Sequence, residues 1–125
     1  MERVTGIGGF FFRSEDPDGL AEWYATMLGV DRVPQSMEDR PWAQEAGTTA
    51  FAPMGPDTTM LGDASRSWSI NFRVRDLAAM VGQLRSAGVE VEVDAETYPM
   101  GRFASLADPE GNVVQLWEPG GPADS

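Results

Sequence analysis

Phe12-Arg13-Ser14-Glu15-Asp16 returns sixty residues later as Phe72-Arg73-Val74-Arg75-Asp76. Each copy follows a short run with strand character and leads, through an aspartate, into a segment of helical periodicity. Each helical segment closes on small residues, Leu28-Gly29-Val30 in the first copy and Ala87-Gly88-Val89 in the second. A period near sixty in a chain of 125 residues predicts two similar modules, at about 5–62 and 67–119, within a single domain spanning 1–125.

Working outward, residues 7–13 are apolar and aromatic, too short for an ordinary helix, and predict a buried strand. Asp16 is placed to cap a helix with Pro17 in its first turn, and Leu20, Trp23, Tyr24 and Met27 recur on one face of it. Short strands near 31–35, 48–52 and 58–61 complete the first module, and Gly62 to Ser67 reads as the linker. In the second module Trp68 to Val74 alternates as a strand, and Asp76 caps a helix that buries Leu77, Met80, Val81 and Leu84. Val89 to Val93 and residues 101–107 read as strands. Asp108-Pro109-Glu110-Gly111-Asn112 is a hairpin turn, and Val113 to Trp117 is the last strand. Gly120 to Ser125 reads as a frayed tail. The expectation is an α+β fold: two β-α-β-β-β modules in tandem, forming a curled mixed sheet around a cavity with the helices outside.

Composition narrows the chemistry. The chain has no His, Cys or Lys, so a Ser-His pair, a thiolate and a Schiff-base amine are all excluded as nucleophiles. General acid–base work would fall to carboxylates or tyrosines, of which Glu45, Glu118, Tyr24 and Tyr98 are available. Glu118 reads as a solvated residue past the last strand and Tyr24 as a core residue of the first helix. A net charge of −11 disfavours nucleic acid and anionic membrane surfaces, and would attract a cationic ligand. No apolar run approaches the ~20 residues of a membrane span, and Met1-Glu2-Arg3-Val4-Thr5 lacks signal-peptide character, so a cytoplasmic location is expected.

Strand alternation predicts which side chains line the cavity. If Ile70, Phe72 and Val74 pack under the helices, then Ser69, Asn71 and Arg73 face the other way. By the repeat offset, Gly9, Phe11 and Arg13 take the same side in the first module. In the last strand Val114 and Leu116 pack inward, leaving Val113, Gln115 and Trp117 for the cavity. Trp42 is expected in the aromatic wall, and Arg102 beside the two equivalent arginines, Arg13 and Arg73. The predicted ligand-binding set is therefore Phe11, Arg13, Trp42, Ser69, Asn71, Arg73, Arg102, Gln115 and Trp117. Arg13 and Arg73 would take an anionic or carbonyl-rich group, or else pair with acidic side chains such as Asp16 or Asp76.

The repeated module, the Asp-led helix carrying Trp23-Tyr24 and closing on Leu28-Gly29, the run Phe72 to Leu77, and the stretch from Asp108 to Trp117 together resemble the vicinal oxygen chelate superfamily. That group includes glyoxalase I, extradiol dioxygenases and the fosfomycin- and bleomycin-resistance proteins. The resemblance covers about residues 5–119, and its most specific element is the Asp-Pro-Glu-Gly-Asn turn ahead of an apolar strand. It implies a homodimer, which would also cover the edges of a curled sheet. Enzymes of the superfamily hold a divalent metal with His, Glu or Gln from the first and last strands of each module. Carried over, those positions fall at Gly9, near Met60, at Ser69 and at Gln115, and only Gln115 could ligate. No metal and no cofactor are therefore expected.

Two functional readings follow. The first is a metal-independent small-molecule-binding protein, similar to the bleomycin-resistance group, which sequesters a drug or metabolite in an aromatic-walled cavity. The second is a metal-free lyase, isomerase or cyclase acting on a natural-product-like substrate by acid–base catalysis. The sequence leaves turnover open.

Overall fold

In the computed structural model, which describes residues 1–120, two helices pack on one face of a four-stranded mixed sheet. Helix α1 is Pro17–Leu28 and strand β1 is Ile70–Arg73. Helix α2 is Leu77–Ser86, followed by strands β2 (Glu92–Val93), β3 (Gly101–Ala107) and β4 (Val113–Pro119). The strand order is β1-β4-β3-β2, with β1 parallel to β4 and the other neighbours antiparallel.

Both helices begin as their capping residues dictate. Asp16 accepts from the Gly19 N–H at 3.1 Å and Asp76 from the Ala79 N–H at 3.0 Å. Gly29, in the left-handed region at φ 73°, stops α1 and donates back to the Ala25 carbonyl. The inward stripe of each helix meets the sheet. Leu20 and Tyr24 from α1, and Leu77, Val81 and Leu84 from α2, pack with Ala104, Leu106, Val114 and Leu116 in a single core.

The α+β class and the one-sided placement of the helices hold, and the second module forms its complete β-α-β-β-β unit. The first module departs from expectation. Residues 7–13, 31–35, 48–52 and 58–61 form no strand, so the sheet is open rather than curled round a cavity. Pro34 removes a ladder donor from 31–35, Pro53 and Pro56 bound the short segments 48–52 and 58–61, and Gly8-Gly9 weakens the first, so local propensity cannot hold a strand that lacks a paired neighbour. Phe10 and Phe12 instead pack their rings against Trp68, at centroid distances of 5.1 and 4.6 Å. No helix among the described residues is long and apolar enough to cross a membrane. Gly120 donates to the Met100 carbonyl at 3.1 Å, and the rest of the expected tail, 121–125, lies outside the described residues.

The Asp108–Asn112 turn ties the two halves of the chain together. The Glu110 carboxylate accepts from the Ser14 hydroxyl at 2.7 Å and from the N–H groups of Glu15 and Asp16 at 3.0 and 3.2 Å. Arg66 grips the same turn, donating to Asn112 Oδ1 at 2.7 Å and to the Glu110 carbonyl at 2.8 Å. The segment Gly62–Ser67, expected as a plain linker, is thus anchored through Arg66. The Ser14 hydroxyl first, then the Glu15 amide, hold the Glu110 carboxyl below the usual glutamate value. Its folded pKa lies under its unfolded one, so its stabilisation is complete above the unfolded value and is lost as pH falls through the folded value. Glu110→Gln should therefore lower the melting temperature at pH 7, and the gap to wild type should narrow progressively as pH falls below the usual glutamate value. A gap that stays constant over that range would contradict the assignment.

Candidate functional site

The face of the sheet opposite the helices carries the side chains of interest, and the strand register sorts them into rows. Asn71 on β1 lies opposite Gln115 on β4, which lies opposite Ser105 on β3, which lies opposite Glu92 on β2. One step along, Arg73 lies opposite Trp117, and Trp117 opposite Phe103. The Asp94 N–H donates to the Phe103 carbonyl at 3.0 Å, so Asp94 extends that second row.

The second row is aromatic at its centre. The Phe103 and Trp117 rings are parallel within 6°, with centroids 6.3 Å apart, and Tyr98 meets Phe103 edge-on at 5.9 Å. The polar atoms of these rings are already satisfied. Trp117 Nε1 donates to the Met100 carbonyl at 2.8 Å, and the Tyr98 hydroxyl donates to Asp94 Oδ2 at 2.8 Å. Gly101 makes the arrangement sterically possible. Its φ is 131°, and a Cβ there would strike the Glu118 carbonyl and come within 2.9 Å of the Trp117 indole nitrogen. In the first row Asn71 Nδ2 donates to Gln115 Oε1 at 3.3 Å.

The Tyr98 hydroxyl lies in the field of Asp94, and that hydrogen bond raises its pKa. The Asp94 carboxyl is lowered, chiefly by the Glu96 N–H and then by the Tyr98 hydroxyl. Asp94 therefore presents a fixed negative charge beside the rings at neutral pH.

The predicted site residues divide into three groups. Ser69, Asn71, Arg73, Gln115 and Trp117 share the open face, with the Ser69 hydroxyl turned to the Val113 carbonyl at 3.0 Å. Arg102 is a correction. It lies opposite Glu118, whose carboxylate accepts from the Leu77 N–H at 2.8 Å, so both belong to the helix side of the sheet. Strand parity overrides the attraction of grouping arginines by charge, and Glu118 is a helix cap rather than a solvated residue past the strand.

Phe11, Arg13 and Trp42 also fall elsewhere. Phe11 stands 87% exposed, because its neighbours Phe10 and Phe12 are the ones turned to Trp68. Trp42 meets the edge of Phe72, a core-side ring, at 6.3 Å. Arg13 lines a groove of about 520 Å³ with Ser14, Glu15, Arg66, Pro109, Glu110 and Gly111, a set that does not include Arg73. The two repeat-equivalent arginines are not brought together. Arg73 donates to the Glu45 carbonyl at 3.0 Å, against Gly47, while the Glu45 carboxylate pairs with Arg75 at 2.9 Å.

Phe103, Ser105, Glu92 and Asp94 were missed by the sequence reading. The signal was present, because the alternation that sends Ala104 and Leu106 to the core sends Phe103 and Ser105 to the open face.

The metal positions of the resembling enzymes do not fit this chain. Gly9 offers no donor and Met60 only a thioether, the Ser69 hydroxyl is turned to a carbonyl, and Gln115 Oε1 accepts from Asn71. Among the described residues no three His, Cys, Asp or Glu side chains converge.

The sheet and helices can be set against known proteins. Residues 9–117 match the model of the glyoxalase-like domain. Among solved structures, TnmS3, an antibiotic binding protein from Streptomyces sp. CB03234, superposes with a TM-score of 0.62 at 22% identity, over 96% of this chain and 100% of its own. A glyoxalase/bleomycin resistance protein from the same organism gives 0.54 at 23% identity over 83% of this chain and 92% of its own. A proposed glyoxalase family protein from Bacillus anthracis gives 0.51 at 16% identity over 82% and 84%. No curated protein matches the sequence. The family match spans nearly the whole chain and the structural likenesses carry the same fold, so this chain belongs to the glyoxalase-like domain family of the vicinal oxygen chelate superfamily.

Proposed function

We propose that this protein is a metal-independent small-molecule-binding protein of the glyoxalase/bleomycin-resistance type, sequestering a drug or metabolite over the open face of its sheet. The observation that carries the reading is the parallel Trp117–Phe103 pair beside the Asn71–Gln115 pair. Rings whose own donors are already used present apolar surface to a ligand, and they lose little freedom when it arrives. The antibiotic-binding function of TnmS3, on the same fold, points to a drug-like ligand. The lyase or isomerase alternative gains no support from the candidate acids and bases. Glu45 pairs with Arg75, Glu118 caps α2, Tyr24 bonds Asp108 and Tyr98 bonds Asp94.

A homodimer completes the proposal. The chain exposes 9665 Å², against roughly 6,600 Å² for a compact monomer of 13.6 kDa. The excess is rich in large apolar side chains, with Ile7, Phe11, Val33, Met37, Phe51 and Met60 all exposed. That excess, roughly 3,000 Å² of total surface per chain, is well above the roughly 800 Å² that each partner gives to a standard interface, and the apolar side chains in it suit burial against a second copy. A second copy would also supply the wall that an open sheet lacks.

Native mass spectrometry of gently purified protein tests both parts. The expected result is a species near twice 13.6 kDa, free of divalent metal, carrying a small-molecule adduct that Trp117→Ala loses. A stoichiometric metal on each chain, or conversion of the recovered ligand by the wild type, would overturn the reading.

A further inference from the structure

The row Arg73–Trp117–Phe103–Asp94 is ordered by charge. A guanidinium stands at one end, two parallel rings lie in the middle, and a carboxylate stands at the other end, each on its own strand and all on the open face. Three strand spacings of about 4.8 Å put the end residues about 14 Å apart. Both ends are held in place. Arg73 is fixed against Gly47 by its bond to the Glu45 carbonyl, which uses one of five guanidinium donors. Asp94 is fixed by the Glu96 N–H at 3.0 Å and the Tyr98 hydroxyl at 2.8 Å. The carboxylate of Glu92, one row along on the same face, adds to the negative end. A row of this kind discriminates between ligands by the position of their charges as well as by their flatness.

We propose, resting on the small-molecule-binding reading above, that this row selects an elongated planar aromatic ligand with an anionic or carbonyl acceptor at the Arg73 end and an ammonium group at the Asp94 end. The rings set the flat middle of the ligand. Arg73 takes the acceptor through donors left free by the Glu45 bond. The negative end takes the amine, in the sense that the chain's net charge of −11 favours on approach. The neighbouring Asn71–Gln115 pair, with its remaining amide donor and acceptor, reads groups on the long edge of the ligand.

The test is isothermal titration of the full chain with four probes of one shape: 6-(aminomethyl)-2-naphthoic acid, 2-naphthoic acid, 2-(aminomethyl)naphthalene and naphthalene. The zwitterion should bind tightest, and removal of either charge should weaken it by about threefold to tenfold. Arg73→Gln should weaken only the two probes that carry the carboxylate, and Asp94→Asn only the two that carry the amine. This probe dependence separates recognition from a general loss of structure, which would weaken all four alike. If all four probes bind within twofold of one another, the charge-ordered row is overturned while the aromatic site stands. If none binds and Trp117→Phe leaves every titration flat, the site reading itself fails and this proposal fails with it.

Discussion

Replacing Asp108 by alanine is expected to lower the unfolding free energy by about 4 kcal/mol. Asp108 is only 4% exposed and both of its oxygens are fully used. Oδ1 accepts from the N–H groups of Glu110 and Asn112 at 2.9 and 3.0 Å, which folds the turn on itself. Oδ2 accepts from Asn112 Nδ2 at 2.8 Å and from the Tyr24 hydroxyl at 2.7 Å, which joins the turn to α1. Alanine would leave four donors facing a small void. A hydrogen bond to a charged group is worth about 1.5–3 kcal/mol, and water entering the void would recover part of the sum. The Tyr24 phenol is kept protonated far above its usual range, by burial first and then by its bond to Asp108, so it stays a donor at any working pH.

Urea denaturation followed by tryptophan fluorescence would read the Asp108→Ala loss as a midpoint shift of about 2 M, for a slope near 2 kcal/mol/M. Tyr24→Phe removes only one of the four bonds and should cost about 1 kcal/mol. Asp108→Asn keeps one acceptor oxygen and should fall between the two. If Asp108→Ala proves no worse than Tyr24→Phe, the bonds within the turn contribute nothing and this account of it is wrong.

The turn also shows where the sequence is readable and where it stops being so. Asp108-Pro109-Glu110-Gly111-Asn112 announces a turn through its residue types, because each acts on the backbone beside it. Its partnership with Tyr24 spans 84 positions in the chain and leaves no local mark. The helices were legible for the same reason as the turn. Asp16 and Asp76 cap within three residues, and Leu20, Tyr24, Leu77, Val81 and Leu84 follow the helical period. The strands of the first module were not, because a ladder depends on a neighbour that no local pattern supplies. Residues 7–13 have strand composition but no paired edge: Phe10 and Phe12 turn to Trp68 and Phe11 the other way, as alternation expects, but with no ladder beside it Phe11 is left exposed. On the open face, parity placed Asn71, Gln115 and Trp117 correctly, and the same rule applied to β3 would have found Phe103 and set Arg102 aside.

This asymmetry between the two halves of the chain sets up the second large effect. Leu116 is fully buried at the centre of β4, opposite Phe72 on one side and Ala104 on the other, beneath both helices. Leu116→Ala should cost about 3 kcal/mol, the transfer of the lost methyl and methylene groups plus the cavity left among neighbours that cannot close in from both strands. Phe11→Ala removes a larger side chain that is 87% exposed, and in an isolated chain it should change stability by less than about 0.5 kcal/mol. The concentration dependence of unfolding separates these roles. Leu116→Ala should shift the urea midpoint by the same amount at every protein concentration, because its contacts lie within one chain. Phe11→Ala should cost little at nanomolar concentration and progressively more at micromolar, as the assembly that would cover residues 1–60 forms. Equal and concentration-independent shifts for both variants would mean that the exposed apolar surface of the first module is covered within the chain itself. That outcome would remove the physical argument for a second copy.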